Sequence, residues 1–181
     1  MEKTVEHQRG AAEQRTRTLV LTGLLAALGC VGTMVLTVPS PTGGYMNLGD
    51  AVVLLGAYLL GPVWGAVAGG VGPALADLLA GYVIYAPATL VIKALMGVTA
   101  ALLYRRLRDK PGALVICGVA AEVIMVAGYC LYDAILAGNP AGGLAGIPSN
   151  LVQAGFGIAA SALLTLALRR SSYVRREFPS L

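Results

Sequence analysis

The chain is a succession of apolar runs, each about as long as a bilayer is thick, separated by short breaks rich in glycine, proline or charge. A hydrocarbon core of roughly 30 Å takes about 20 helical residues to cross. In lipid, every backbone N–H and C=O must find its partner inside the protein, which favours helices. Composition agrees. Of 181 residues only 12% are charged and 57% are hydrophobic, and the mean hydropathy is +0.76. A soluble domain carries about a quarter charged residues, so this chain lacks the means to build a wetted surface. The expected fold class is all-α, an integral membrane bundle. At roughly 20 residues per crossing the length holds about six helices, which leaves no room for a soluble enzyme domain. The chain contains no G-x-x-x-x-G-K-[ST] phosphate loop and no G-x-S-x-G or H-E-x-x-H signature, so neither ATP hydrolysis by that route nor intramembrane catalysis is expected.

The breaks predict the segments. Residues 1–17 form a mixed-charge tail, and the first helix covers about 18–38. That run is too long for a signal-peptide core and no cleavage pattern follows it, so it reads as a retained span. The stretch 39–45 carries two prolines and two glycines, a loop signature. A short second helix follows over 48–60, and Gly61-Pro62 turns the chain into a third over 62–79. Further helices are expected over 84–104, 111–137 and 147–168. The polar block 105–110 lies between the fourth and fifth, and a glycine-rich loop, 138–146, between the last two. A basic tail, 169–181, closes the chain. Cys30, Cys117 and Cys130 are odd in number and lie in apolar runs, which reads as buried free thiols rather than a disulfide framework. His7 is the single histidine, too little for a zinc site. No metal and no cofactor is expected.

Charge decides the topology. The piece 48–60 reaches only about 20 Å at ~1.5 Å per residue, short of a full crossing. Lys and Arg gather on the cytoplasmic side of membrane proteins. Here they form three clusters: Lys3, Arg9, Arg15 and Arg17; Arg105, Arg106, Arg108 and Lys110; Arg169, Arg170, Arg175 and Arg176. The clusters share one side only if an even number of crossings separates them. Six crossings, with 48–60 as one of them, place all three in the cytoplasm with both termini and leave Lys93 inside the bilayer.

Ionisable groups within spans are costly and point to function. The candidates are Asp50, Asp77, Lys93, Glu122 and Asp133. Asp50 and Asp133 fall near outer helix ends, where an interfacial position accounts for them. Asp77 and Lys93 lie about equally far from the turn at 82–85, so they pair at similar depth, or Lys93 also reaches a ligand. Glu122, Tyr129 and Asp133 recur at i, i+7, i+11 on one stripe of the fifth helix. Asn150, Gln153, Gly157 and Ser161 repeat the pattern on the sixth. Asn and Gln both donate and accept, which suits a heteroaromatic ring; hydrogen bonds between neighbouring helices account for the same stripes. Gly61, Gly65 and Gly69 read as close packing. On the first helix Thr22, Ala26 and Cys30 form one row of small residues and Gly23 and Ala27 another; such rows admit a close helix neighbour, inside the bundle or outside it.

Four stretches carry a family resemblance: Asn47-Leu48-Gly49-Asp50-Ala51-Val52-Val53-Leu54-Leu55, then Leu60-Gly61-Pro62, then Ala76-Asp77-Leu78-Leu79-Ala80-Gly81-Tyr82, then Tyr85-Ala86-Pro87-Ala88-Thr89-Leu90-Val91-Ile92-Lys93. Together they resemble the substrate-binding S components of energy-coupling factor (ECF) vitamin transporters, in the riboflavin-type family that also includes proteins assigned to pyridoxine or hydroxymethylpyrimidine. The motifs cover about 47–96, and the six-span layout extends the likeness over nearly the whole chain.

The resemblance implies a six-helix bundle with both ends cytoplasmic. It implies a vitamin site near the outer face, beneath the loop after helix one (39–46 here), with most contacts from helices four to six. Lys93, Glu122, Tyr129, Asn150 and Gln153, with Asn47 and Tyr85, are then the substrate-binding candidates. Docking on a transmembrane T component, energised by two ATPase subunits, would use small residues of helix one: Thr22, Gly23, Ala26, Ala27 and Cys30. The family pattern there is often alanine-x-x-x-alanine, and this chain departs from it. The reading is a capture subunit of an ATP-driven importer in a prokaryotic plasma membrane, with the lipid bilayer, the vitamin and the ECF module as partners and no nucleic acid. The competing reading is a small stand-alone secondary transporter in which Asp77, Lys93 or Glu122 carries protons.

Overall fold

A computed structural model describes residues 2–40, 42–178 and 181, with the backbone alone for residues 2–9 and 11. Pro41, in the predicted loop, falls outside the described residues, as do the side chains of Lys3, His7 and Arg9. The protein is nearly all helical: α1 (Glu2–Val35), β1 (Val38–Pro39), β2 (Tyr45–Met46), α2 (Gly49–Leu79), α3 (Ala86–Leu107), α4 (Ala113–Ala137), α5 (Pro140–Arg169) and α6 (Ser172–Glu177). Five of these helices are long and apolar enough to cross a membrane. α2 packs on α1, α3 and α5; α3 packs on α4, and α4 on α5.

α2 is two helical halves joined at a reversal. Gly61 has φ 78 and ψ −172, a conformation open essentially to glycine alone. The chain folds back there. A Cβ at Gly65 would come within 2.7 Å of the Ala57 Cα, and one at Gly69 within 2.9 Å of a Val53 methyl. In a straight helix those pairs would stand about 12 and 24 Å apart. The halves 49–60 and 62–79 therefore lie against each other. Glycine at 65 and 69 lets the two backbones meet. Val53, Leu54, Ala57 and Tyr58 of the first half are almost wholly buried in the core.

Three expectations are corrected. The tail 1–17 is not separate from the first helix: α1 is continuous from Glu2 to Val35, helped by Ala, Glu, Gln and Arg, all good helix formers. The stretch 39–45 is not an open loop: Val38–Pro39 pairs antiparallel with Tyr45–Met46, closed by Ser40 N–H to Gly44 O at 2.8 Å. The glycine-rich stretch 138–146 is mostly helix. Asn139 caps α5 by accepting from Gly142 N–H at 3.0 Å, and Pro140 stands in the first turn, where its missing N–H costs nothing. The glycines there serve contact rather than flexibility. A Cβ at Gly143 would lie 2.1 Å from the Cys130 carbonyl oxygen, and one at Gly142 2.2 Å from the Ala137 Cβ. They bring the start of α5 onto the end of α4.

The two ends of the bundle differ. At one end Arg17 meets Glu177 at 2.6 Å and stacks over Phe178, Arg169 donates to the Tyr104 hydroxyl, and Arg105 lies against Gly61. Representatives of all three basic clusters thus share that end. The β-hairpin and a cluster of polar side chains occupy the other.

Candidate functional site

The hairpin strands are only two residues each, too short to hold their place alone. Side chains below anchor them. Tyr45 donates to Asp77 Oδ1 at 2.6 Å, Tyr85 donates to the Thr42 carbonyl at 3.0 Å, and Ser40 bonds Ser149 at 3.1 Å. These ties reach α2, the start of α3 and α5. Burial, with the Asp77 carboxylate beside it, pushes the Tyr45 phenol well above its ordinary range, so it remains a donor at any physiological pH.

Beneath the hairpin is a cavity of about 30 Å³, lined by Thr33 of α1, hairpin residues, Asp77 of α2, Tyr85, Thr89 and Lys93 at the start of α3, Tyr129 and Asp133 of α4, and Asn150 and Gln153 of α5. Its floor is a chain of polar contacts. Asn47 N–H donates to Gln153 Oε1 at 2.8 Å, and Gln153 Nε2 donates to Asp50 Oδ2 at 2.6 Å. Lys93 Nζ donates to Asp50 Oδ1. Lys93 and Asp50 are both 1% exposed as side chains. Such a pair is tolerable in a dry interior because each charge meets its opposite and the remaining carboxylate oxygen is also bonded. The ammonium lies 5.4 Å from the Tyr129 ring centroid, within cation–π reach. Thr89 and Tyr129 exchange a hydrogen bond at 2.9 Å, and Tyr85 also bonds Asp133 at 3.0 Å.

Six of the seven predicted substrate-binding residues line this one cavity: Lys93, Tyr129, Asn150, Gln153, Asn47 and Tyr85. Glu122 does not. It lies about 10 Å further along α4 from Tyr129 at ~1.5 Å per residue, 2% exposed, facing Gly157, where a Cβ would meet its Oε1 at 2.7 Å. The outer parts of the two stripes reach the cavity. In the inner parts, Gly157 packs on Glu122 and Asp50 and Ser161 bonds the Ile158 carbonyl of its own helix. The expected Asp77–Lys93 pair is also corrected. Because α2 reverses at Gly61, Asp50 comes beside α3 and takes the lysine, while Asp77 takes the Tyr45 hydroxyl. Sequence reasoning singled out Asp50, Asp77 and Asp133 as charged groups within spans but not as substrate-binding residues, and it missed Thr33 and Thr89. Asp50 lies 11 residues before Gly61 and Asp77 16 residues after it, so Asp77 stands about 7 Å further toward the hairpin at ~1.5 Å per residue.

The two rows on α1 separate as well. Thr22 is buried, and the Ala26 backbone is so close to Gly72 of α2 that a Cβ there would meet its oxygen at 2.3 Å. That row is internal packing, with Cys30 half-buried at its end; Thr22 and Ala26 are not free for a partner. Gly23 and Ala27 are exposed.

The family model for the ECF-type riboflavin transporter, S component, matches residues 13–170. An uncharacterized protein of Pyrococcus woesei is 40% identical over 129 residues, which cover 71% of this chain and 85% of that relative. Among solved structures, the S component of a bacterial ECF transporter superposes with a TM-score of 0.61 at 22% identity, covering 86% of this chain and 95% of that one. At that identity the likeness is one of fold.

Proposed function

This chain belongs to the ECF-type riboflavin transporter S component family, whose members are membrane proteins and not enzymes, and on that premise we propose that it captures a small water-soluble vitamin or vitamin precursor at the outer face of a prokaryotic plasma membrane. It hands the ligand to an ATP-driven importer completed by an ECF T component and two ATPase subunits. The observation that carries this reading is the opposition of the two ends. Basic residues gather at one end and a polar cavity under a tethered hairpin sits at the other. Basic ends face the cytoplasm, so the cavity opens outward. Counting the halves of α2 as two crossings, the bundle crosses six times with both termini inside. The short half needs no lipid match, because its residues are buried against neighbouring helices.

Lys93, Tyr129, Asn150, Gln153, Asn47 and Tyr85 bind the ligand, which is of the pyridoxine, hydroxymethylpyrimidine or riboflavin class. A pocket for a small molecule has roughly 300–1,000 Å³, so the 30 Å³ cavity belongs to a closed state. The hairpin must lift, breaking its three side-chain ties, to admit a ring. Glu122 supports the floor from below. The exposed Gly23 and Ala27 of α1 form the docking strip for the T component.

Reconstitution tests this reading. In liposomes the purified chain should bind the copurified vitamin, identified by mass spectrometry, without concentrating it. Adding the T component and ATPases should confer ATP-dependent uptake. Accumulation by the chain alone under an ion gradient would establish the secondary-transporter reading instead. Ala27→Leu should stop uptake while sparing binding, because the added bulk separates the docking helices; normal uptake would remove α1 from that role. For topology, Arg108→Cys in intact cells should resist an impermeant thiol reagent, and labelling from outside would overturn the six-crossing arrangement.

A further inference from the structure

We propose that Asp77 reads the ligand, and that the ligand presents to it a protonated amine or an amino group on a nitrogen heterocycle. This rests on the capture reading above and narrows its substrate class. Asp77 is 4% exposed. Its Oδ1 accepts from Tyr45 at 2.6 Å, while its Oδ2 is buried with no hydrogen-bond partner among the described residues. An ionised carboxylate only accepts, so the group that completes this site must donate. Thr33, 1% exposed, lines the same cavity and also has an unpartnered hydroxyl, which supplies a second, adaptable contact.

The charge around the cavity points the same way. Among the described residues Lys93 is the one cation lining it, and its ammonium is engaged by Asp50, which also holds Gln153. Among the described residues Asp77 and Asp133 have phenol partners, Tyr45 and Tyr85, and no cationic partner. With the Lys93 charge matched by Asp50, two carboxylates remain in excess. In a site of low dielectric this excess repels a carboxylate or phosphate ligand, leaves a neutral ring indifferent and favours a cation or a ring with N–H donors. Lys93 lines the cavity with its charge already matched by Asp50, so it contacts the ligand without acting as an anion hook, and Asp77 confers the selectivity.

The test uses the full chain in lipid nanodiscs and titration calorimetry with four probes: thiamine and 4-amino-5-hydroxymethyl-2-methylpyrimidine, which carry amino groups, neutral riboflavin, and anionic nicotinate. An amino-bearing probe should bind best, at least about tenfold tighter than riboflavin or nicotinate. Removing the amino group from that probe should cost about tenfold or more, a measurement that needs no protein variant. Asp77→Asn, which keeps the acceptor for Tyr45, should weaken the amino probe by at least about tenfold. If riboflavin or nicotinate binds tightest, the substrate class is overturned and the capture reading stands. Tight amino-probe binding that survives Asp77→Asn unchanged would remove Asp77 from recognition. If no probe binds and no vitamin copurifies, both readings fall.

Discussion

The cavity end and the basic end of this bundle both hold ion pairs, and the two pairs have very different consequences. Lys93 and Asp50 meet where each side chain is 1% exposed. Arg17 and Glu177 meet with exposures of 43% and 29%. A solvated pair gains little, because water screens it and two long side chains lose freedom to form it. A dry pair cannot be halved, because the surviving charge has nowhere to go. The same interaction is therefore a surface ornament at one end and an obligatory part of the core at the other. The cavity end is organised by what burial forbids, the basic end by what solvent screens.

That contrast can be broken by substitution. Lys93→Ala leaves the Asp50 charge buried, hydrogen-bonded to Gln153 but with no cation to meet it among the described residues, and is expected to destabilise the protein by about 3–5 kcal/mol. Thermal unfolding in detergent would read this as a large fall in midpoint or as failure to accumulate folded protein; a near-native midpoint would mean the pair is dispensable. Next in size, Gln153→Ala removes the link between Asp50 and the Asn47 backbone, and Asn150→Ala removes a cavity-lining amide. Each is expected to cost about 1–3 kcal/mol of ligand affinity, roughly 5- to 150-fold, by titration with the copurified vitamin. If both variants bind like the parent protein, the amides only glue helices together. Smallest, Arg17→Ala at the basic end should change stability by about 0–1 kcal/mol. A loss comparable to that of Lys93→Ala would erase the distinction between the two ends.

Much of this was legible in residue order. The apolar runs, the Gly61-Pro62 turn and the three basic clusters lead to an all-helical membrane bundle whose short second segment lies against the third. Tyr129, Asn150 and Gln153 were found because polar side chains recurring on one face of an apolar helix must face something other than lipid. Three features escaped. The stretch 138–146 looks like a loop, because sequence does not distinguish a glycine that bends from a glycine that lets two backbones touch, as Gly143 does against Cys130. Helical periodicity assigned Glu122 and Tyr129 to the same stripe, but periodicity carries no information on depth relative to a neighbouring helix. The partner of Lys93 was misread for a related reason: residue order offers both Asp50 and Asp77, and only the packing of three segments selects between them.

Sequence by itself determined the solvent, the secondary structure class and the polarity of the two ends. Each of these follows from quantities summed along the chain: apolar length against bilayer thickness, backbone groups that must be bonded locally, and the placement of Lys and Arg. Tertiary structure alone decided which charge neutralises Lys93, which carboxylate oxygen is left unpartnered, and which face of α1 remains free. Those outcomes depend on distances of a few ångströms between segments far apart in sequence. In a low-dielectric interior an ion pair or hydrogen bond made or missed at that scale outweighs anything that residue spacing alone can specify.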